Sequence, residues 1–413
     1  DIVLWEFDDR VTGPGDTGDV DMGLSYSRPA VTKLRNGKWV AIFGNGYNST
    51  QADGAASASG NAVLYIVDVE TGELIRKLDT LAGIAQDPLG LGRGNGMSSP
   101  AAVDIDGNNV SEYVYAGDLF GNLWKFDLTS TNPADWKIAY TDLGVPAPLF
   151  RARNALNQPQ AIVSKPAVGR GPRDIGTVVL FGTGKYLEPT DRDVATLRVQ
   201  SFYGIYDRMT GLSTDRVFGR TNLVEQQISQ ETTQTYSGNP LTLRVTTNNP
   251  TTTSSRGWYM DLRVVGQPFA GEMQVSDSIL RAGRILFTTL IPSPDPCDAG
   301  GTGWFMALDA LTGARTGRPQ FDLNEDGKFD AGDNAGTMVV SGVQSGMGFI
   351  QRPGLLSDNE MNRDLVIASG SQGGNPCGPQ GQKAGAAADA DCNPLSSQFG
   401  PFDRGRQSWR QLR

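Results

Sequence analysis

The sequence contains no histidine. That absence excludes Ser-His-Asp and Cys-His catalysis, histidine-ligated zinc, copper or haem, and a histidine pH switch. Oxygen-ligand metals and carboxylate chemistry stay open. Cysteine is scarce: Cys297, Cys377 and Cys392 are too few for a disulfide scaffold and lack zinc spacing. Three thiols allow at most one internal bridge, with the pairing open, and support an oxidising compartment only weakly. No run approaches the ~18 apolar residues of a membrane-spanning helix. Positive charge is in deficit, with Lys+Arg 36 against Asp+Glu 45, and the net −9 argues against nucleic acid as a partner. The chain opens on Ile2-Val3-Leu4-Trp5-Glu6-Phe7, which reads as a strand. A start inside a strand suggests a fragment of a longer protein, so the lack of a visible leader says nothing about compartment.

Turn formers are abundant. With 52 Gly and 23 Pro in 413 residues, the composition favours many turns over long helices, while 38% hydrophobic residues supply a core. A repeat runs along the chain. Ser27-Arg28-Pro29-Ala30-Val31 returns as Ser99-Pro100-Ala101-Ala102-Val103, as Ser164-Lys165-Pro166-Ala167-Val168, and loosely as Gln351-Arg352-Pro353-Gly354. Each copy leads to a second apolar stretch closed by Gly44, Gly117, Gly182 or Gly370, with proline-to-glycine separations of 15, 17, 16 and 17. The pattern predicts a hairpin whose first strand is opened by proline, where a missing N–H is tolerated. A third strand follows in three places and ends in D-x-x-T-G: Asp68 to Gly72, Asp207 to Gly211 and Asp309 to Gly313. Asp bonds the backbone two residues on, and Gly supplies positive φ. A fourth strand leaves as Glu73-Leu74-Ile75-Arg76.

Four short antiparallel strands, recurring 71 residues apart from Pro29 to Pro100 and 66 from Pro100 to Pro166, predict an all-β propeller rather than a β-sandwich. The 187 residues from Pro166 to Pro353 leave room for two or three diverged blades. The expected organisation is one propeller domain over 1–413. It carries a polar insertion or exposed hairpin at 213–257, rich in Thr, Gln, Asn and Ser, and a long Gly/Ala-rich loop at 370–400.

Two stretches have the spacing of calcium loops. Residues 104–112 place Asp104, Asp106, Asn108 and Glu112 at positions 1, 3, 5 and 9, with the Val110 carbonyl expected at position 7 and Gly107 allowing a sharp turn. A hard cation takes six to eight oxygens from a wrapped loop, and without one these carboxylates would repel. The alternative is a hairpin turn whose carboxylates face water. Residues 322–333 match the twelve-position D-x-N-x-D-G pattern: Asp322, Asn324, Asp326, Lys328 through its carbonyl, Asp330 directly or through water, and Asp333 where a Glu is usual. Calcium is favoured over magnesium, which rarely uses all-protein cages.

Other constellations point to no chemistry. Gly92-Arg93-Gly94-Asn95-Gly96 lacks the ending of a phosphate loop and reads as a connection. Trp39, Trp124, Trp304 and Trp409 do not recur at one blade position and read as packing residues, not the floor of a quinone site. No carboxylate pair stands out for glycoside hydrolysis.

The run Ser98 to Val103, the loop 104–112, and Tyr113-Val114-Tyr115-Ala116-Gly117-Asp118-Leu119-Phe120-Gly121-Asn122-Leu123-Trp124-Lys125-Phe126-Asp127-Leu128 resemble the C-terminal domain of the PilY/PilC-type type IV pilus proteins. So do Asn36 to Trp39 with Phe43 to Tyr47, Gly301 to Gly313, and Gly405 to Gln411. The resemblance implies a modified propeller of about seven blades, similar in fold to quinoprotein dehydrogenases but not enzymatic. It implies a place at the bacterial surface, pilus tip or outer membrane and periplasm. The implied roles are pilus biogenesis, control of extension and retraction, adhesion and twitching motility. The implied partners are pilins or minor pilins and host or abiotic surfaces. Its calcium loop, D-x-D-x-N-x-V-x-D, falls on Asp104, Asp106, Asn108, Val110 and Glu112, with Glu112 a departure that lengthens the reach. The R-G-D segment of some members is absent. The competing functions are a quinone-dependent dehydrogenase of the same fold and a carbohydrate-binding propeller using aromatics such as Tyr47.

Overall fold

The computed structural model describes residues 3–10, 18–51, 55–193, 197–293, 301–345, 352–358, 363–367 and 398–399. Among them there are strands and short 3₁₀ turns, and no helix long and apolar enough to cross a membrane, which leaves strand-built spans untouched. The chain divides into two compact units. Among the described residues, the first holds those within 3–185 and 205–222, and the second those within 186–204 and 223–399.

In the first unit, β1 (Ala30–Lys33), β2 (Trp39–Gly44), β3 (Val63–Asp68) and β4 (Leu74–Asp79) form a four-stranded antiparallel sheet in chain order, the repeat read from the sequence. Pro29 precedes β1, and Gly44 ends β2. All six residues of β3 are buried, because both sheet faces are covered; a strand buried on both sides needs no polar alternation. One face packs Phe43 and Tyr65 against Phe7, Met22 and Trp5. The other packs Val40, Ile42, Leu64 and Ile66 against Val114, Trp124 and Phe126 of the next sheet.

That next sheet pairs β5 (Ala101–Val103), β6 (Tyr113–Gly117) and β7 (Asn122–Asp127), with β8 (Lys137–Ile138) also on β7. A hairpin of β9 (Tyr140–Asp142) and β10 (Val145–Ala147) follows, and β11 (Phe150–Arg151) closes the second sheet along β7. β12 (Ala167–Arg170) and β13 (Thr177–Gly182) repeat the proline-opened hairpin. β14 (Ser201–Asp207) contributes its last three residues to this unit and its first four to the other.

In the second unit, β15 (Val224–Tyr236) and β16 (Asn239–Thr246) occupy the middle of the polar segment 213–257. They form a long hairpin turned at Ser237 (φ 48°) and Gly238 (φ 86°), a two-residue turn with both residues left-handed. β17 (Gly257–Val264) lies parallel to β15. β18 (Ile279–Arg281), β19 (Arg284–Thr288) and β20 (Gly303–Asp309) are antiparallel neighbours. β21 (Asn334–Ala335) and β22 (Met338–Val339) form a small hairpin, and β23 (Gly342–Ser345) pairs with both β16 and β20. β24 (Gly354–Asp358), β25 (Arg363–Ile367) and β26 (Gln398–Phe399) make the fourth proline-led sheet, with Pro353 ahead of it; Gly370 lies outside the described residues.

Two expectations need correction. Residues 3–7 form no paired strand. Instead the Trp5 indole covers the first D-x-x-T-G turn: Nε1 donates to the Val69 carbonyl at 2.8 Å, and a Cβ on Gly72 would sit 2.5 Å from Trp5 Cγ. The second unit repeats the arrangement, with Trp258 Nε1 donating to the Ala310 carbonyl at 3.1 Å and its ring over Gly313. Trp39 is not a packing residue. It opens β2 opposite Lys33 and is 58% exposed, whereas Trp124 and Trp304 are buried. Trp409, Cys297, Cys377 and Cys392, and nearly all of 370–400, lie outside the described residues.

Candidate metal centre

The 104–112 loop joins β5 to β6, the first two strands of the second sheet, so both its ends are held by a ladder. Asp104 folds the backbone over itself: its carboxylate accepts from the N–H groups of Gly107 at 2.6 Å, Asn108 at 3.2 Å and Asn109 at 2.7 Å. Gly107 (φ 81°) and Asn109 (φ 65°) take the left-handed conformations this wrap requires. Asp106 accepts from the Asn108 backbone N–H and amide, and Asn108 Oδ1 accepts from the Val110 N–H at 2.8 Å. Glu112 then returns under the loop, where its Oε2 accepts from the Ile105 N–H at 3.0 Å.

The result is a concentrated negative charge. One carboxylate oxygen from each of Asp104, Asp106 and Glu112 lies within 4.8 Å of the other two. Asp106 is exposed, Asp104 half-buried and Glu112 only 4% exposed. Glu112 Oε1 is buried and accepts no hydrogen bond. A buried carboxylate oxygen without a donor is costly, and a cation is one of the few things that removes the cost. Burial pushes the Glu112 carboxyl above the usual range. The Ile105 N–H and Arg35 pull it down, and Asp106 and Asp104 push it further up. The three gathered carboxylates are hard oxygen donors of the kind calcium takes, and the Asn108 amide and the Val110 carbonyl belong to the same loop.

Sequence reasoning missed one participant. Arg35, in the turn between β1 and β2 of the preceding sheet, brings its guanidinium to 3.6 Å from Glu112 Oε1. The same seam is joined by Ser111 N–H donating to the Lys33 carbonyl at 3.0 Å and by a 2.7 Å contact between the Ser111 and Thr32 hydroxyls. Asn36-Gly37 marks the turn in the sequence, but nothing local says what the turn faces.

The second loop wraps similarly around a different anchor. Asp322 accepts from the N–H groups of Asp326 at 3.1 Å and Gly327 at 2.9 Å, and Asp326 from Lys328 at 2.8 Å. Asp333, 1% exposed, reaches back to the N–H groups of Leu323 at 2.8 Å and Asp330 at 3.1 Å. Burial pushes the Asp333 carboxyl up, against those hydrogen bonds. The tip of the β15–β16 hairpin rests on this loop, with Ser237 Oγ donating to the Asn324 carbonyl at 2.6 Å. Its acidic side chains do not gather three carboxylates within 4.8 Å, as the first loop does.

The remaining constellations hold structure. Arg93 pairs with Asp87 at 2.7 Å, and Asn95 donates to the buried Asp118 at 2.9 Å, so the 92–96 loop is a braced connection. Asp118 also receives the Trp124 indole N–H at 2.8 Å. Trp304 lies under the Arg244 guanidinium, 3.8 Å from the ring centre. Tyr47 is half-buried and meets Tyr26 edge-on.

A family model described as the PilY1 beta-propeller domain matches residues 3–239. The type IV pilus biogenesis factor PilY1 of Pseudomonas aeruginosa strain PAO1 is 34% identical over 439 residues, which span 99% of this chain and 33% of that protein. A PilY1 homolog of Xylella fastidiosa is 36% identical over 427 residues, spanning 100% of this chain and 27% of its own. The chain therefore spans a third or less of the length of these curated relatives. The crystal structure of the Pseudomonas aeruginosa PilY1 C-terminal domain superposes with a TM-score of 0.72 at 32% identity, covering 85% of this chain and 71% of that one.

Proposed function

The chain belongs to the PilY1 β-propeller family, and from that premise we propose that it is a non-enzymatic, calcium-binding part of a type IV pilus biogenesis factor. The observation that carries the calcium reading is Glu112: a buried carboxylate whose Oε1 has no hydrogen-bond donor, facing two further carboxylates within 4.8 Å. Asp104, Asp106 and Glu112 supply charged oxygens, Asn108 its amide oxygen and Val110 its carbonyl. Bound Ca²⁺ supplies two positive charges that offset the repulsion and fix the loop between β5 and β6. Asp322, Asn324, Asp326, Lys328 through its carbonyl, Asp330 and Asp333 form a second, weaker calcium loop.

The partners fitting this reading are pilins or minor pilins, together with host or abiotic surfaces. The place is the bacterial cell surface, pilus tip or periplasm. The functions are support of pilus assembly, balance of extension against retraction, adhesion and twitching motility. The experiment is calcium titration calorimetry on the 413-residue chain, with Asp104→Ala plus Asp106→Ala and, separately, Asp322→Ala. The first pair removes the tighter uptake and, placed in the full-length protein, impairs twitching. Full retention of both behaviours overturns the proposal. A redox group captured by the chain would favour the quinone-dependent dehydrogenase reading instead.

A further inference from the structure

The calcium loop belongs to the second sheet, yet the cation facing Glu112 comes from the first. The Arg35 guanidinium stands 3.6 Å from Glu112 Oε1, too far for a hydrogen bond and near enough for an ion pair. Glu112 is buried and fixed: its N–H donates to Val103, its carbonyl receives Leu128, and its Oε2 receives Ile105. Arg35 is 43% exposed and sits in a turn, so it is the movable partner. That turn is itself short. Leu34 receives the Gly37 N–H at 2.9 Å and Asn36 receives the Lys38 N–H at 3.1 Å, so the backbone around Arg35 is braced. The strand leaving the turn begins at Trp39, exposed at the first position of β2.

We propose that Arg35 is the resident counter-ion of the calcium loop, a competitor across the seam between sheets that sets the affinity and transmits occupancy to the β1–β2 turn. This rests on the calcium reading of residues 104–112. In the calcium-free chain Arg35 partly neutralises Glu112. When the divalent ion binds, the charge of the three-carboxylate cluster falls from −3 to −1, its hold on Arg35 weakens, and the turn that carries Lys38 and Trp39 loses that tether to the loop. The expected affinity is therefore lower than the ligand set alone would give, and it is tuned from the neighbouring sheet.

The test uses the 413-residue chain with Ca²⁺ as the probe. Calorimetric affinities are compared for the native chain, Arg35→Gln and Arg35→Lys, and iodide quenching of Trp39 is read in parallel against Trp39→Phe. Removing one charge next to a divalent ion at the surface tightens binding by about tenfold, corresponding to ~1.4 kcal/mol. Arg35→Lys keeps the charge and stays near the native affinity. Ca²⁺ changes Trp39 quenching in the native chain and has little effect on it in Arg35→Gln. Equal or weaker binding by Arg35→Gln overturns the proposal and makes Arg35 a prop for Glu112, while leaving the calcium site intact. If the native chain and both variants all take up no Ca²⁺, the underlying calcium reading fails with it.

Discussion

Replacing Glu112 by Gln separates a metal site from a solvated acidic turn, because only a metal site reverses the sign of the effect when calcium is added. Two unit charges 4.8 Å apart, the outer spacing of the three carboxylates, repel by about 3 kcal/mol at an effective dielectric of ~20 and by under ~1 kcal/mol in bulk water. Glu112 takes part in two such pairs. Because Asp106 is exposed and Asp104 half-buried, each pair falls toward the aqueous value, about 1–1.5 kcal/mol. Loss of the Arg35 pair returns about 1 kcal/mol of that. The Gln carbonyl still receives the Ile105 N–H, and its NH₂ faces the carboxylates as a donor. The variant is therefore more stable than the native chain without calcium, by about 1–2 kcal/mol. At about 2–4 °C per kcal/mol for a cooperative unit of ~150–250 residues, the Tm rises by about 2–8 °C. Adding calcium reverses the order. The native chain gains about 2.7 kcal/mol at a hundredfold excess over its Kd, and the variant gains little. Calorimetric melts in chelator and in calcium read both signs. A variant less stable in chelator, or one that keeps the full calcium-dependent gain, refutes the reasoning.

Gly313→Ala places a Cβ 2.1 Å from Trp258 at a φ of +67°, so a loss of about 2–4 kcal/mol is expected in urea unfolding of the second unit; a loss under ~0.5 kcal/mol would show that the indole can move aside. Glu272→Ala removes the buried carboxylate that holds the Arg244 guanidinium at 2.6 Å but leaves it Glu231 at 2.7 Å, and costs about 2–3 kcal/mol by the same assay. Burial pushes Asp21 up, but hydrogen bonds from Lys77 and Ser57 outweigh it and hold its carboxyl below the usual value. That stability is present above the ordinary Asp range near 3.9 and is lost as pH falls through the lowered value. Lys77→Met therefore moves acid unfolding of the first unit to higher pH, read by near-ultraviolet circular dichroism; an unchanged acid midpoint removes the role assigned to Lys77.

The blade repeat was legible because its markers are backbone requirements. Pro29, Pro100, Pro166 and Pro353 precede first strands, and the glycines of the D-x-x-T-G turns have positive φ. The residues of the acidic loop at 104–112 could be grouped from the sequence because they lie within nine positions, and the structure folds them into one wrap. Arg35 was not, since its approach to Glu112 depends on how one sheet stacks on the next, across 77 positions of sequence. The polar segment 213–257 reads as a polar insertion or an exposed hairpin, and its 224–246 stretch pairs as a long hairpin whose far end buries Leu243 and Val245. Composition there reports the solvent side and does not show that burial. Residues 3–7 alternate like a strand, but Trp5 and Phe7 are spent as plugs against the first sheet.

The joint formed by Ser111 with Lys33 and Thr32 has a mechanical consequence. Within a sheet, force along a strand is shared among parallel rungs, whereas separation of neighbouring sheets peels contacts one after another. Fastening the mouth of an acidic loop to its neighbour puts a cluster of three carboxylates on that peeling line. On the proposed calcium reading, chelation would lower the load at which two sheets part while leaving each sheet's own strength nearly untouched.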